Sequence, residues 1–327
     1  YIDLTGEDSI KQTEQISRIR TEDLNHGFDL EQDALIRMMA IQLSEHKVLI
    51  MMSAHHIIID GWCNALLLKD LTSYYEKMMA GITIEELYHN IDHEKSTFVS
   101  MREYIEWLET RDTDAALEYW KDVLDGYEEV AGIPVLDRTE KPSGVASAEC
   151  RLDDSLVQKL REVCTNQNVT QNVVMETVWG IVLQKYNGVN DVVFGKVVSG
   201  RNTGLAGMEE AVGLFINTVP ARIRTEEGES FSKLLQKQQE QSVSRGNYEY
   251  CSLAEVQQMT SLKSELFQTI FAFENYYVQD SIEDKFKKIV VEKGAVREET
   301  NYPITVRVFT GDTICINVLY QTDLYEE

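Results

Sequence analysis

The chain has 327 residues, longer than an average single domain, and its 43% hydrophobic and 26% charged residues are the balance of a soluble globular protein. With 55 acidic and 31 basic residues the net charge is −24, which opposes DNA, RNA or an anionic membrane as the main partner and reads as a solvated acidic surface. Only 4 prolines and 18 glycines argue against long disordered linkers.

Asp8–Asn25 is polar with Ile10, Ile16 and Ile19 at near-helical spacing, which predicts a helix broken by His26-Gly27-Phe28-Asp29-Leu30. Ala34–Leu43 predicts a strand, and Lys47–Ala54, apolar on both faces, a buried one. From Trp62 to Met79 the residues Leu66, Leu67, Leu71, Tyr74, Tyr75 and Met78 fall at helical spacing, with Gly81 as the stop. His89–Thr97 is charged and irregular and reads as a linker, so the expected division is residues 1–97 and residues 98–327. Phe98–Leu108 and Thr113–Leu124 predict helices, Ala146–Leu152 a strand, and Asp154–Asn168 a helix. Thr170 fits as the N-cap of an apolar helix over Val173–Tyr186, which Asn187-Gly188 stops. DVVFGKVVS, Asp191–Ser199, is a buried-strand pattern, followed by a strand at Val219–Arg224, a helix at Phe231–Val243 and a strand at Leu266–Phe273. Three strands, Ile289–Glu292, Ile304–Phe309 and Ile314–Tyr320, close a mixed α/β chain without internal repeats.

Cys63, Cys150, Cys164, Cys251 and Cys315 are odd in number, widely spaced and form no CxxC pair. A disulfide framework or zinc site is therefore not expected, and a reducing cytoplasm is. No apolar run approaches membrane-spanning length and no basic-then-apolar leader opens the chain. YIDLTGEDS starts without an initiator Met, in a strand-like word, so a fragment of a longer protein is expected.

The stretch MMSAHHIIIDGW, Met51–Trp62, holds two of the six histidines. If His55 and His56 continue a strand, they point to opposite faces, one into a working cleft and the other inward. Asp60, next to Gly61, can fix the turn through an Arg or backbone amides. Metal binding is disfavoured, because adjacent histidines on opposite faces are poor co-ligands and no HExxH or Cys cluster completes a set. A Ser nucleophile lacks its GxSxG elbow. What remains is a histidine used as a base or positioning group towards a hydroxyl, thiol or amine.

HHIIIDGW resembles the HHxxxDG signature of the condensation domains of nonribosomal peptide synthetases. TFVSMREYIEWLE with ALEYWKDVL, DVVFGKVVSGR, VGLFINTVPARI, YCSLAEVQ, LFQTIFAFENYYV and EETNYPITVRV match further words of that family, in its order, across essentially the whole chain. The family carries a longer stretch before the histidine motif, with an early Arg- and Trp-containing motif, and a terminal helix after TDLYEE. An incomplete N-terminal lobe is therefore expected.

The resemblance implies two chloramphenicol acetyltransferase-like lobes in a V with a tunnel between them. It implies an enzyme that joins an upstream carrier-bound aminoacyl or peptidyl thioester to the amine of a downstream aminoacyl carrier. Both substrates hang from phosphopantetheine arms of carrier partners, an adenylation domain neighbours them, and the domain itself holds no cofactor. His56 matches the histidine facing the tunnel, as base or positioning group, and His55 its inward structural neighbour. Asp60 matches a structural carboxylate paired with an Arg, for which Arg201 and an Arg from the missing N-terminus are both candidates. Gly61 brings backbone close to the intermediate, where an amide can stabilise an oxyanion. Asn217 matches a tunnel-shaping position or a strand-end hydrogen bond. Ser199 is either a hydroxyl that polarises the thioester or a turn former, and Trp62 is either tunnel wall or core. D-G-W favours condensation over epimerisation, and GLFINTVPAR with LAEVQ favours an L-configured donor. Two alternatives stand beside this: a catalytically silent docking platform of the same fold, and an acyltransferase that uses free coenzyme A.

Overall fold

The computed structural model describes residues 1–95, 98–135, 144–274, 290, 300–311 and 313–325. Residues 96–97 at the expected division, and all but Val290 of the strand expected at Ile289–Glu292, lie outside them. The chain forms two compact units. One is Tyr1–Cys63 with Val212–Phe215, the other Asn64–Ala211 with Ile216–Glu327.

The first unit holds β1 (Ile2–Asp3), α1 (Ser9–His26), β2 (Ile36–Ser44) and β3 (Lys47–Ala54). Asp8 caps α1 by accepting from the Lys11 amide, and Gly27, at φ 60°, ends it in a conformation that favours glycine. The sheet order is β1-β2-β3, with β1 parallel to β2 and β2 antiparallel to β3. Leu4, Ile41, Ile59 and Cys63 are buried. The expectation that β3 is buried on both faces is corrected, because Val48 is 47% and Ile50 40% exposed. Side chains alternate along a strand, and these two share a face with Ile36 and Met38 of β2, which are also exposed. No described element of this unit covers that face.

In the second unit, α2 (Gly61–Met79, begun in the first unit) ends at the positive-φ Gly81, followed by α3 (Ile84–Lys95), α4 (Met101–Glu109) and α5 (Thr113–Leu124). The reading of His89–Thr97 as irregular is corrected through Lys95. Thr83 and Glu86 close a reciprocal cap at the start of α3, the Thr83 amide donating to Glu86 Oε2 at 2.9 Å and the Glu86 amide to Thr83 Oγ1 at 3.2 Å. There follow β4 (Val145–Arg151), α6 (Asp154–Gln167), α7 (Gln171–Asn187), β5 (Asp191–Val198), β6 (Asn217–Arg224), α8 (Phe231–Arg245), α9 (Leu253–Gln258), β7 (Thr269–Glu274), β8 (Ile304–Phe309) and β9 (Cys315–Gln321). Thr170 caps α7 as the sequence predicts, and Gly188 stops it in the left-handed region.

These strands form one sheet in the order β4-β9-β8-β7-β5-β6, with β7 parallel to both neighbours and the other pairs antiparallel. Alternation along β5 feeds two cores. Val192 and Phe194 pack with Val157, Leu183 and Leu234 of α6–α8, while Val193 packs on the other side with Ala116 and Trp120 of α5.

One feature of β5 runs against its apolar pattern. The buried Lys196 ammonium pairs with the buried Glu176 of α7 and also donates to Asn172 Oδ1 at 2.7 Å. Arg245 of α8 completes the cluster with a bidentate pair to Glu176, at 2.8 and 3.1 Å. Burial by itself would raise the Glu176 carboxyl, but Arg245 and Lys196 overcome it and hold it at about 2.

Candidate active site

The hairpin β2–β3 delivers the histidine motif to the end of a strand. β3 stops at Ala54, and the His55 amide makes one last sheet-like bond, to the Leu35 carbonyl at 2.9 Å. His55 to Ile58 then form a turn closed by the Ile58 amide donating to the His55 carbonyl at 3.2 Å. The expectation of strand alternation at the two histidines is thereby corrected, since the second lies in the turn. His55 is half-buried and His56 exposed. Nδ1 of His55 accepts from the Ile57 amide at 3.2 Å, which puts the ring proton on Nε2. The His55 ring meets Phe28 at 6.2 Å and 87°, edge to face.

The isoleucines divide by exposure: Ile57 and Ile58 are exposed, whereas Ile59 is 8% exposed and anchors the end of the turn. Asp60, at 2% exposure, is a structural carboxylate whose described partners include backbone amides. Its Oδ1 accepts from the Cys63 amide at 3.3 Å, tying down the first turn of α2, and its Oδ2 accepts from the Phe215 amide at 3.0 Å. Cys63 reinforces the same junction. Its single S–H lies within reach of two acceptors, Asp60 Oδ1 at 3.3 Å and the Gly213 carbonyl at 3.2 Å, and Sγ accepts from the Gly213 amide at 3.3 Å. Burial pushes this thiol up, so it stays protonated and serves as a small hydrogen-bonding latch. Sequence reasoning missed Cys63. The only local signal was its place three residues after an Asp that opens a helix.

Gly61 begins α2, and a Cβ built there meets nothing within 4 Å, so neither space nor positive φ within the chain demands glycine. Trp62 is half-buried. Ser199 and Arg201 are brought together, the Arg201 amide donating to Ser199 Oγ at 3.3 Å and Nη1 to the Ser199 carbonyl at 3.4 Å. Arg201 is buried, and its Nη2 donates to the Ala211 carbonyl at 3.1 Å. Gly200 between them lines a cavity of about 280 Å³ with Trp107, Arg111, Glu249 and Tyr250. Asn217 spends both amide protons on backbone, the carbonyls of Glu249 and Cys251 at 2.8 and 2.7 Å, and its Oδ1 accepts from the Thr218 amide. It ties the start of β6 to the loop that precedes α9. All five cysteines are free thiols, and no described helix is long and apolar enough to cross a membrane.

Solved structures with this architecture include VibH, a nonribosomal peptide synthetase condensation enzyme, at a TM-score of 0.77 and 16% identity over 100% of this chain and 74% of that one. The epimerization domain from the third module of tyrocidine synthetase B matches at 0.72 and 16% identity, over 99% of this chain and 74% of that one. The fold is thus the mixed α/β, chloramphenicol acetyltransferase-like fold shared by condensation and epimerization domains, and by itself it does not choose between their reactions. The sequence is more selective. A family model described as "Condensation domain" matches residues 1–327, and the chain is 35% identical to bacitracin synthase 3 of Bacillus licheniformis over 331 aligned residues. It belongs to the condensation-domain family of nonribosomal peptide synthetases. The match covers 100% of this chain and 5% of that synthase.

Proposed function

We propose that the chain forms an amide between two carrier-bound substrates. The amine of a downstream aminoacyl carrier attacks the thioester carbonyl of an upstream aminoacyl or peptidyl carrier. A C–N bond forms, the C–S bond breaks, and the upstream phosphopantetheine arm leaves as a thiol that takes up the proton lost by the amine. His56 relays that proton and orients the amine. The observation that carries this reading is an exposed His56 imidazole on a turn pinned at its far end by the buried Asp60 and Ile59. Gly61 presents backbone without a side chain at the start of α2, where a helix N-terminus favours developing negative charge. Asp60 acts on the geometry of the turn. Ser199 and Asn217 shape the neighbourhood of β5 and β6, and the donor is L-configured. An adenylation domain loads the acceptor carrier, and the work is cytoplasmic.

The test supplies donor and acceptor aminoacyl carriers and follows dipeptidyl carrier. Replacing His56 by Ala is expected to slow amide formation by about two to four orders of magnitude while carrier binding stays as it was. A wild-type domain that binds both carriers yet joins no pair would turn the reading towards a docking platform. Equal rates with free coenzyme A thioesters would turn it towards a soluble acyltransferase.

A further inference from the structure

Behind the histidine turn the first unit holds a connected set of side chains that the proposed reaction does not use directly. Arg37 of β2 and Ser53 of β3 are cross-strand partners, so their side chains leave the same face of the sheet. Both reach Asp23 in the last turns of α1. Arg37 Nε donates to Asp23 Oδ1 at 2.8 Å, and Ser53 Oγ donates to Asp23 Oδ2. Arg37 Nη1 also donates to the Gly27 carbonyl at 2.8 Å, holding the residue that ends α1. Nη2 donates to the Asp23 carbonyl at 3.4 Å, and with these three donations set the guanidinium carbon stands over the next residue, 3.9 Å from the centre of the Phe28 ring. Phe28 in turn meets the His55 ring edge to face.

The set therefore ends on His55. This residue lies two positions beyond Ser53, and its Nδ1 holds the Ile57 amide inside the turn that carries His56. A ring free to rotate about χ1 would release that amide and with it the local geometry of the neighbouring imidazole.

The geometry points to Phe28 as a positioning residue for the proposed amide-forming site: clamped by Arg37, it fixes the His55 ring and so the turn that presents His56. This rests on the amide-forming reading above, and it adds that the aim of His56 is set from the end of α1, 28 residues earlier in the chain. Asp23 and Arg37 act one step further back, as the clamp on Phe28.

Phe28→Leu keeps apolar volume and removes the ring. Single-turnover amide formation with donor and acceptor carriers is expected to fall about 10- to 100-fold, the scale set by a misaimed reacting group, with carrier affinities within about twofold of wild type. Phe28→Tyr restores a ring under Arg37 and is expected to recover most of the rate. The second readout needs no turnover: in selectively 15N-histidine-labelled chain, the His55 Nδ1 and Nε2 signals report the tautomer held by the Ile57 amide. Phe28→Leu is expected to shift them towards an unconstrained imidazole, and Phe28→Tyr to leave them in place. Wild-type rate, or unshifted His55 signals, in a folded Phe28→Leu chain overturns the inference. If Phe28→Leu does not fold, Arg37→Lys takes its place, since it keeps the charge but loses the planar fork; it is expected to shift the same signals, and unshifted signals overturn the inference. A wild-type domain that makes no amide defeats the functional reading alone, because the His55 signals still decide whether Phe28 sets the ring.

Discussion

At the scale of residues, the costliest placements are charges without water. Glu176, Lys196 and Arg245 have side chains between 4% and 6% exposed, so Glu176 owes its charged state to the two cations, and each cation is held charged by Glu176 against the other's repulsion. Burial pushes the Lys196 ammonium down, and Glu176 opposes that push. The sign of the pH dependence follows from Glu176. Its folded value, about 2, lies below the ordinary 4.5, so its stabilisation is complete above about pH 5 and lost as pH falls towards 2. Glu176→Gln is expected to cost about 3 kcal/mol at pH 7 by removing the carboxylate that pairs directly with both cations. Denaturant unfolding at pH 7 and at pH 2.5 checks this: the gap between wild type and variant should shrink markedly at the lower pH. An equal gap at both would mean that the cluster contributes packing and not charge.

At the scale of elements, α7 approaches the sheet closely at Gly180, which the absence of a side chain allows. A Cβ on Gly180 would stand 2.2 Å from Cγ1 of Ile223 on β6, a contact that neither the buried helix nor the fully buried isoleucine can relieve without moving. Gly180→Ala is expected to destabilise by about 1–3 kcal/mol despite the better helix propensity of alanine. Ile223→Ala added to it should recover part of that loss, so a double-mutant cycle in thermal or denaturant unfolding should show coupling of about 1 kcal/mol or more. Strictly additive losses would locate the strain elsewhere.

Most elements were legible in the sequence for local reasons. Thr170 and Gly188 bracket α7 because capping chemistry acts over a few residues, and Ile304–Phe309 matches β8 residue for residue. The misses also have a physical cause. His89–Thr97 looked irregular by composition, yet Thr83 and Glu86, upstream of it, start the helix that runs through Lys95. The apolar run of β3 predicts burial on both faces, but a run reports what a strand can bury, and only neighbouring elements decide whether it does.

At the scale of the whole molecule, three hydrophobic clusters among the described residues lie entirely after position 115, from Ala116 to Tyr325. The division at 97 and 98 is accordingly proposed as a folding boundary as well as a lobe boundary. A chain of residues 98–327 should fold alone, with near-native circular dichroism and one cooperative thermal transition. A broad, non-cooperative melt would show that residues 1–97 are needed to complete its core.

By itself the sequence determined the mixed α/β class, the family, the order of most elements and the word in which the histidines stand. These are set by periodicity, capping and motif spacing, all of which act along the chain. Only the tertiary structure decided which distant groups the residues in and around that word, and elsewhere in the chain, hold. Asp60 reaches the amide of Phe215, Cys63 reaches Gly213, Lys196 finds Glu176, and Phe28 with Arg37 comes to stand behind His55. These pairings join residues between 9 and 155 positions apart. A hydrogen bond or ring contact is specified by distance and direction in space, which spacing along a chain does not encode.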